Sequence, residues 1–466
     1  MKKQFYTISI SLFLLGNIFQ ACESIEILPP PDQGEVEKTG SGDSDVRGIL
    51  FLKNDTTTVF IDPASTETHV VSNITLDFFI NDEFGKPTNP SDANAIELEK
   101  LPIPIANNLV PIQPNRSSGV GVNQMETAAF SGAFSADGAN LGATGWNTDS
   151  EWFQLNTQNK EYPMNNIVEV TGRITTNTAW TKDTQYLLKG QVFVTAGVTL
   201  TIEAGTVIYG EEAVGVQSGV LVFNRGSLVD AVGTPEEPIV FTTNAPAGTR
   251  TRGKWGGVVF CGNGPSNKGV DIAIEGIQGE NEEDGLYGGN DPSYNAGDLA
   301  YWRVEYAGIA VSAGNELNSI TFGGIGYDTN AHHLLINYAG DDAIEWFGGN
   351  INLKYIAVYN CLDDDLDMDQ GFSGDIQYVY LVRNPYSADE SGSACMEVSS
   401  SKSVGTMPRT MANVANVTLV GPVYQLEGTG LLADPKYQGG LSSKDDANVV
   451  VTNSFFIGCP TGAQNP

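Results

Sequence analysis

The sequence predicts an all-β protein whose larger part is a parallel β-helix, a solenoid with a rung period of ~22–24. Three observations predict it. First, residues 332–401 divide into three similar lines, HHLLINYAGDDAIEWFGGN, KYIAVYNCLDDDLDMDQGF and QYVYLVRNPYSADESGSACMEVSSS. Second, each line carries an apolar strand, an Asn, a turn and a second short strand. The Asn residues are Asn337, Asn360 and Asn384, at spacings of 360 − 337 = 23 and 384 − 360 = 24. Third, the second strands read Ile344-Glu345-Trp346, Leu366-Asp367-Met368 and Met396-Glu397-Val398, each apolar, acidic, apolar. A short repeat built from strands marks a solenoid. Strand side chains alternate between faces, so an inward apolar pair sends each acidic residue outward. The three Asn are expected to stack as a ladder at one turn, and the three carboxylates as a column about one strand spacing apart.

Residues 1–22 read as a secretion signal. Lys2 and Lys3 precede the apolar run Ile8–Phe19, which is too short to span a bilayer as a mature helix. Ala21-Cys22 closes it as the end of a bacterial lipobox does, which makes Cys22 the expected acylation site. Cleavage after Ala21 with a free cysteine is the alternative. Residues 23–48 are rich in Pro, Gly, Ser and acidic residues and read as a tether that cannot fold alone. Residues 49–164 are expected to form a small β-rich region or cap. They include strand-like runs such as Ile49–Leu52 and Ile74–Ile80, then Phe130–Phe134, Trp146 and Trp152-Phe153 among small residues. These rings are expected to fold against the solenoid.

The solenoid is expected over residues 165–466. Alternating runs at Val192–Val194, Leu200–Ile202, Thr206–Ile208, Val220–Phe223, Ile239–Thr242 and Val258–Phe260 are separated by Gly-rich turns. An acidic, Gly-rich insertion at 278–299 and a second long loop at 422–440 interrupt the pattern. Strands resume at Tyr301–Tyr306, Ile320–Phe322, Val417–Val420 and Val449–Thr452.

The motifs KGQVFVTAGVTLTIEAGTVIYGE, GTPEEPIVFT, GKWGGVVFCGNG and YGGNDPSYNAGDLAYWRVEYAGI resemble the secreted and surface lipoproteins of Bacteroidota that fold as right-handed parallel β-helices. The resemblance covers roughly residues 165–460. It implies a right-handed helix and a place at the outer membrane, and says little about activity. GAF followed by Trp146 usually lies after the solenoid in that family, so its position here is a departure.

Charge narrows the function. The chain of 466 residues has 56 acidic and 24 basic residues, a formal net charge of −32. Phosphates and anionic lipid would be repelled, which excludes nucleic acid and leaves the acyl anchor as the membrane attachment. The three histidines do not suit a zinc centre. Cys261, Cys361, Cys395 and Cys459 sit beside apolar strands and read as small buried hydrophobes rather than as a disulfide framework.

The acidic column is the candidate site. Glu345, Asp367 and Glu397 should be neighbours, Thr321 should head the column, and Glu275 is a candidate to extend it. Asp341-Asp342 aligns with Asp363-Asp364 at an offset of 22. Like charges this close repel and hold protons. Calcium, which takes six to eight oxygens, is the expected relief, with a solvated acidic face as the alternative. Two function classes follow. One is a non-catalytic surface module that binds polysaccharide or a surface protein, with Tyr301, Tyr306, Tyr327, Tyr338, Tyr359 and Tyr380 as candidate sugar-stacking rings; the alternative, favoured for any single ring, is that it fills a turn or the solenoid interior. The other is a calcium-dependent lyase or a hydrolase of acidic polysaccharide. A lyase would use Arg383 as base beside Asp367. Arg383-Asn384-Pro385 matches the Arg-x-Pro of pectate lyases only in part, and the Gly-His-Gly and Arg-Ile-Lys elements of the hydrolases are missing.

Overall fold

A computed structural model describes residues 150–312, 314–422 and 433–459. Ahead of them it describes residues 125, 126, 132–134 and 146, with short strands at 45–46, 49–53, 56–59, 76–78 and 96–98, and a last one at 463–464. The expected signal and Cys22 lie outside the described residues.

The chain folds as a parallel β-helix. Each rung contributes one strand to each of three faces. On the first face, Ala331 pairs with Leu353 and Leu353 with Ile376. On the second, Leu334, Ile356, Val379 and Val417 follow one another down the ladder. On the third, Ile344, Leu366, Met396 and Leu441 do the same. The pairings are parallel, so the ladder offset equals the rung length, 356 − 334 = 22 where no insertion intervenes. Inward positions such as Leu334, Ile336, Ile356, Val358, Leu366 and Met368 are fully buried in one continuous core. At roughly 25 cal/mol per Å² of apolar surface, this column is the main stabilising term.

The corner between the first two faces is one residue long. Tyr301, His333, Tyr355, Tyr378, Asn416 and Asn453 occupy it in successive rungs, all with φ between 51° and 61°. Left-handed backbone costs a non-glycine residue roughly 1–2 kcal/mol. Ring stacking offsets part of it. Tyr301 and His333 lie 4.2 Å apart, His333 and Tyr355 4.3 Å, Tyr355 and Tyr378 5.1 Å.

This geometry corrects the expected Asn ladder. Asn337 pairs in register with Tyr359, and Tyr359 with Val382, so Asn360 and Asn384 are out of line with it. Asn337 donates to Gln154 O (2.7 Å), Asn360 accepts from Arg252 (2.7 Å), and Asn384 accepts from the Tyr386 N–H (2.8 Å). The three share a sequence motif but not a structural position.

A strap lies along the outside of the second face. Gly132 N donates to Asn453 O (2.7 Å) near the last rung, and Trp152 Nε1 donates to Trp302 O (2.9 Å) much nearer the first. Between them Phe134 packs on Tyr380 at 5.2 Å and Trp146 on Tyr355 at 5.6 Å. Tyr306, Tyr338, Tyr359 and Tyr380 are buried under this strap, so they form no open sugar-stacking face and take the buried role that the sequence favoured for any single ring. Tyr301 and Tyr327 are half-buried. Ile49–Leu52 pairs in parallel with Ser454–Ile457, which brings the start of the described chain onto the last rung.

The insertion after Lys268 folds back over the upper third face, where Ile274 and Tyr287 pack with Val259, Cys261, Leu317 and Phe347. Asp284 within it binds Arg173 (2.6 Å) and Asn224 (2.7 Å). All four described cysteines are buried, and none is in a disulfide among the described residues.

Candidate metal centre

The third face builds the site. Strands Ile344–Phe347, Leu366–Asp369 and Ser393–Val398 lie in register, so Glu345 faces Asp367 and Asp367 faces Glu397. Their apolar neighbours Ile344, Trp346, Leu366, Met368, Met396 and Val398 fill the core. The alternation read from the sequence therefore places the three carboxylates on the outer side. Outer does not mean solvated: Glu345 is 8% exposed, and Asp367 and Glu397 are half-buried.

The column is bounded. Thr321 stands above Glu345 and Val259 above Thr321, while Ser442 follows Glu397. Glu275 is therefore not a rung of the ladder. It lies on the insertion, where its carboxylate accepts from the Glu316 N–H (3.1 Å), and its charge bears on Glu345 from the side.

The turns entering these strands add the remaining acids. Asp342 Oδ1 accepts from the Asp364 N–H (2.8 Å), and Asp364 Oδ1 accepts from the Ala394 N–H, so each turn aspartate ties its rung to the next. Asp363 Oδ2 accepts from the Ser391 hydroxyl (3.2 Å), and Glu345 from the Asn318 amide. Three overlapping triads result: Asp341–Asp342–Asp363, Asp342–Glu345–Asp367 and Asp364–Asp367–Glu397. Within each, ligand oxygens lie within 4.8 Å of one another. All seven acids expected at the site are thus brought together.

Burial is the first cause of their perturbation and mutual repulsion the second. Asp341, Asp342, Glu345, Asp364 and Asp367 are pushed well above the ordinary carboxylate range by loss of solvent and then by neighbouring carboxylates. Asp363 is pushed up to about 6 by burial and then by Asp389. Among the described residues Asp341, Asp342, Glu345, Asp363 and Asp367 form no ion pair, and Glu397 pairs with Lys444. One oxygen each of Asp363 and Asp367 is sealed from water with no hydrogen-bond donor. A buried anion without counter-charge or donor is costly. Oxygen-only triads of this spacing suit a hard cation such as calcium.

Arg383 is not available as a surface base. It is fully buried, 3.1 Å from the equally buried Asp365, and donates to the carbonyls of Leu362 and Asp363. Its place is structural, locking the turn that presents Asp363 and Asp364. Sequence reading missed Asp365, Asp369 and Lys444. Asp369 was legible, two residues after Asp367 on the same strand face. Lys444 was not, because it reaches the column from the end of strand Tyr437–Ser443, far along the chain from Glu397.

The architecture and the outer column define a parallel β-helix protein with an acidic third face. A family model described as a pectate-lyase like beta helix domain matches residues 172–461, and the chain belongs to that family. No curated protein and no solved structure matches it.

Proposed function

We propose that this protein is an exported lipoprotein of the Bacteroidota surface type, anchored in the outer membrane through Cys22. Its β-helix carries calcium on the third face and uses it to bind an acidic polysaccharide at the cell surface, without turning it over. The observation that carries this reading is the run of three acidic rungs in register, with sealed carboxylate oxygens that have no donor. Calcium bound there keeps open coordination positions for uronate carboxylates or for acidic groups of a partner protein. The buried aromatic face supports the third face, rather than the second, as the ligand surface.

Family membership favours a second reading, a calcium-dependent lyase or a hydrolase of acidic polysaccharide. With Arg383 sealed in the core, a lyase would need another base, and Lys444 beside Glu397 is a basic side chain on this face.

One experiment separates the two. Purified protein is incubated with polygalacturonate and with alginate, in calcium and in chelator. Calcium-dependent retention on the polymer without unsaturated products or new reducing ends supports the binding module. Turnover promotes the enzyme, and no retention in either condition removes the glycan reading. Membrane fractionation of Cys22→Ser tests the anchor, since the variant should leave the membrane fraction.

A further inference from the structure

The three triads are not equivalent. The two that share Asp342 contain no ion pair among the described residues; Asp363 brings a sealed, donorless oxygen to the first, and Asp367 brings one to the second and the third alike. The third, Asp364–Asp367–Glu397, already has a cation beside it. Lys444 N donates to Val398 O (2.9 Å), which seats the residue just below the end of strand Ser393–Val398. From there its ammonium reaches back to Glu397 Oε1. The Glu397 side chain is 14% exposed and that of Lys444 38%, so the pair closes the lower end of the column at the surface.

We propose that Lys444 is the resident counter-cation of the Asp364–Asp367–Glu397 triad. Divalent cations then load the two triads around Asp342 and are kept from the third while the lysine is in place. This rests on the reading of the column as a calcium site. The physical reason is competition for the same oxygens. An ammonium is a compact point charge on a flexible stem and satisfies one carboxylate at low cost. A divalent ion needs several oxygens at once, and the Glu397 oxygen is already engaged. The lysine therefore sets both the number of ions and the end of the column at which they sit. The proposal does not need the lysine to titrate.

The test is calcium stoichiometry on the whole protein, by calorimetric titration and native mass spectrometry, for wild type, Lys444→Met and Lys444→Arg. Lys444→Met should bind one more calcium ion than wild type, and Lys444→Arg, which keeps the charge, the wild-type number. Lys444→Gln replaces the Met variant if that one does not fold. Equal stoichiometry in wild type and the neutral variant overturns the assignment of Lys444. Calcium uptake by the neutral variant alone upholds the role of Lys444 and removes the calcium reading of the native column. No uptake by any of the proteins removes both.

Discussion

Asp363→Asn isolates the electrostatic cost of the column. In the fold Asp363 holds its proton up to a pH of about 6, against an ordinary value of 3.8. The folded protein therefore binds more protons than the unfolded chain between these values, and its stability falls as pH rises through that window. One pH unit is worth about 1.36 kcal/mol, so the interval amounts to at most about 3 kcal/mol lost by pH 8. Asn carries no charge and escapes this loss. The matched solenoid spans residues 172–461. At about 2.1 cal/mol/K for each of its positions the unfolding entropy is about 0.6 kcal/mol/K, which converts about 3 kcal/mol into a Tm shift of about 5 °C. In chelator, Asp363→Asn should melt up to about 5 °C above wild type at pH 8 and level with it at pH 3.5. In saturating calcium the order at pH 8 should reverse, because the variant loses a ligand. At a calcium concentration of about 1,000 Kd, binding contributes about 4.1 kcal/mol to wild type, more than the about 3 kcal/mol by which it stands below the variant in chelator. Calorimetric melts at the two pH values, with and without calcium, read all of this. Coincident melts of variant and wild type at pH 8 in chelator would refute the account of the column as a set of frustrated carboxylates.

Three further outcomes follow from the same structure. Leu366→Asp places an unpaired charge in the core between Ile344 and Met396 and should cost at least about 3 kcal/mol, read from the denaturant midpoint. Arg383→Met should cost about 3–5 kcal/mol by leaving Asp365 buried without its partner, and adding Asp365→Leu should restore most of that loss. Trp146→Ala should cost about 3–5 kcal/mol and make the strap sensitive to limited proteolysis, since the ring is fully buried against Phe134, Trp152 and Tyr355.

The third face was legible because its signal is local. Three apolar–acidic–apolar triplets at rung spacing give strand, register and outward column together, and Ile344, Leu366 and Met396 stack as that pattern requires. The Asn residues were misread because a recurrent letter does not fix a ladder position. The rungs differ by a residue in length, and the in-register partner of Asn337 is Tyr359. The role of the tyrosines was left open for a different reason. Their spacing reports a face of the solenoid but not what covers it, and the cover comes from far earlier in the chain, such as Asn156 at Tyr338 (338 − 156 = 182). Burial of Arg383 was equally hidden, since its partner Asp365 belongs to the rung before.

Solenoids usually behave as one-dimensional arrays whose ends open independently. The strap removes that independence. Phe51, near the start of the chain, pairs with Phe456, near its end. The described strap residues then lie along the outside as far as Tyr162, whose hydroxyl donates to Glu305 (2.6 Å) just before the first rung starts. The final rung therefore gains its last ladder partner only when the beginning of the chain returns to it. Closing so long a loop is slow, and it couples the two ends once made. During folding Ile49–Leu52 must wait for Ser454–Ile457, and a pull on Ile49–Leu52 would load that rung first.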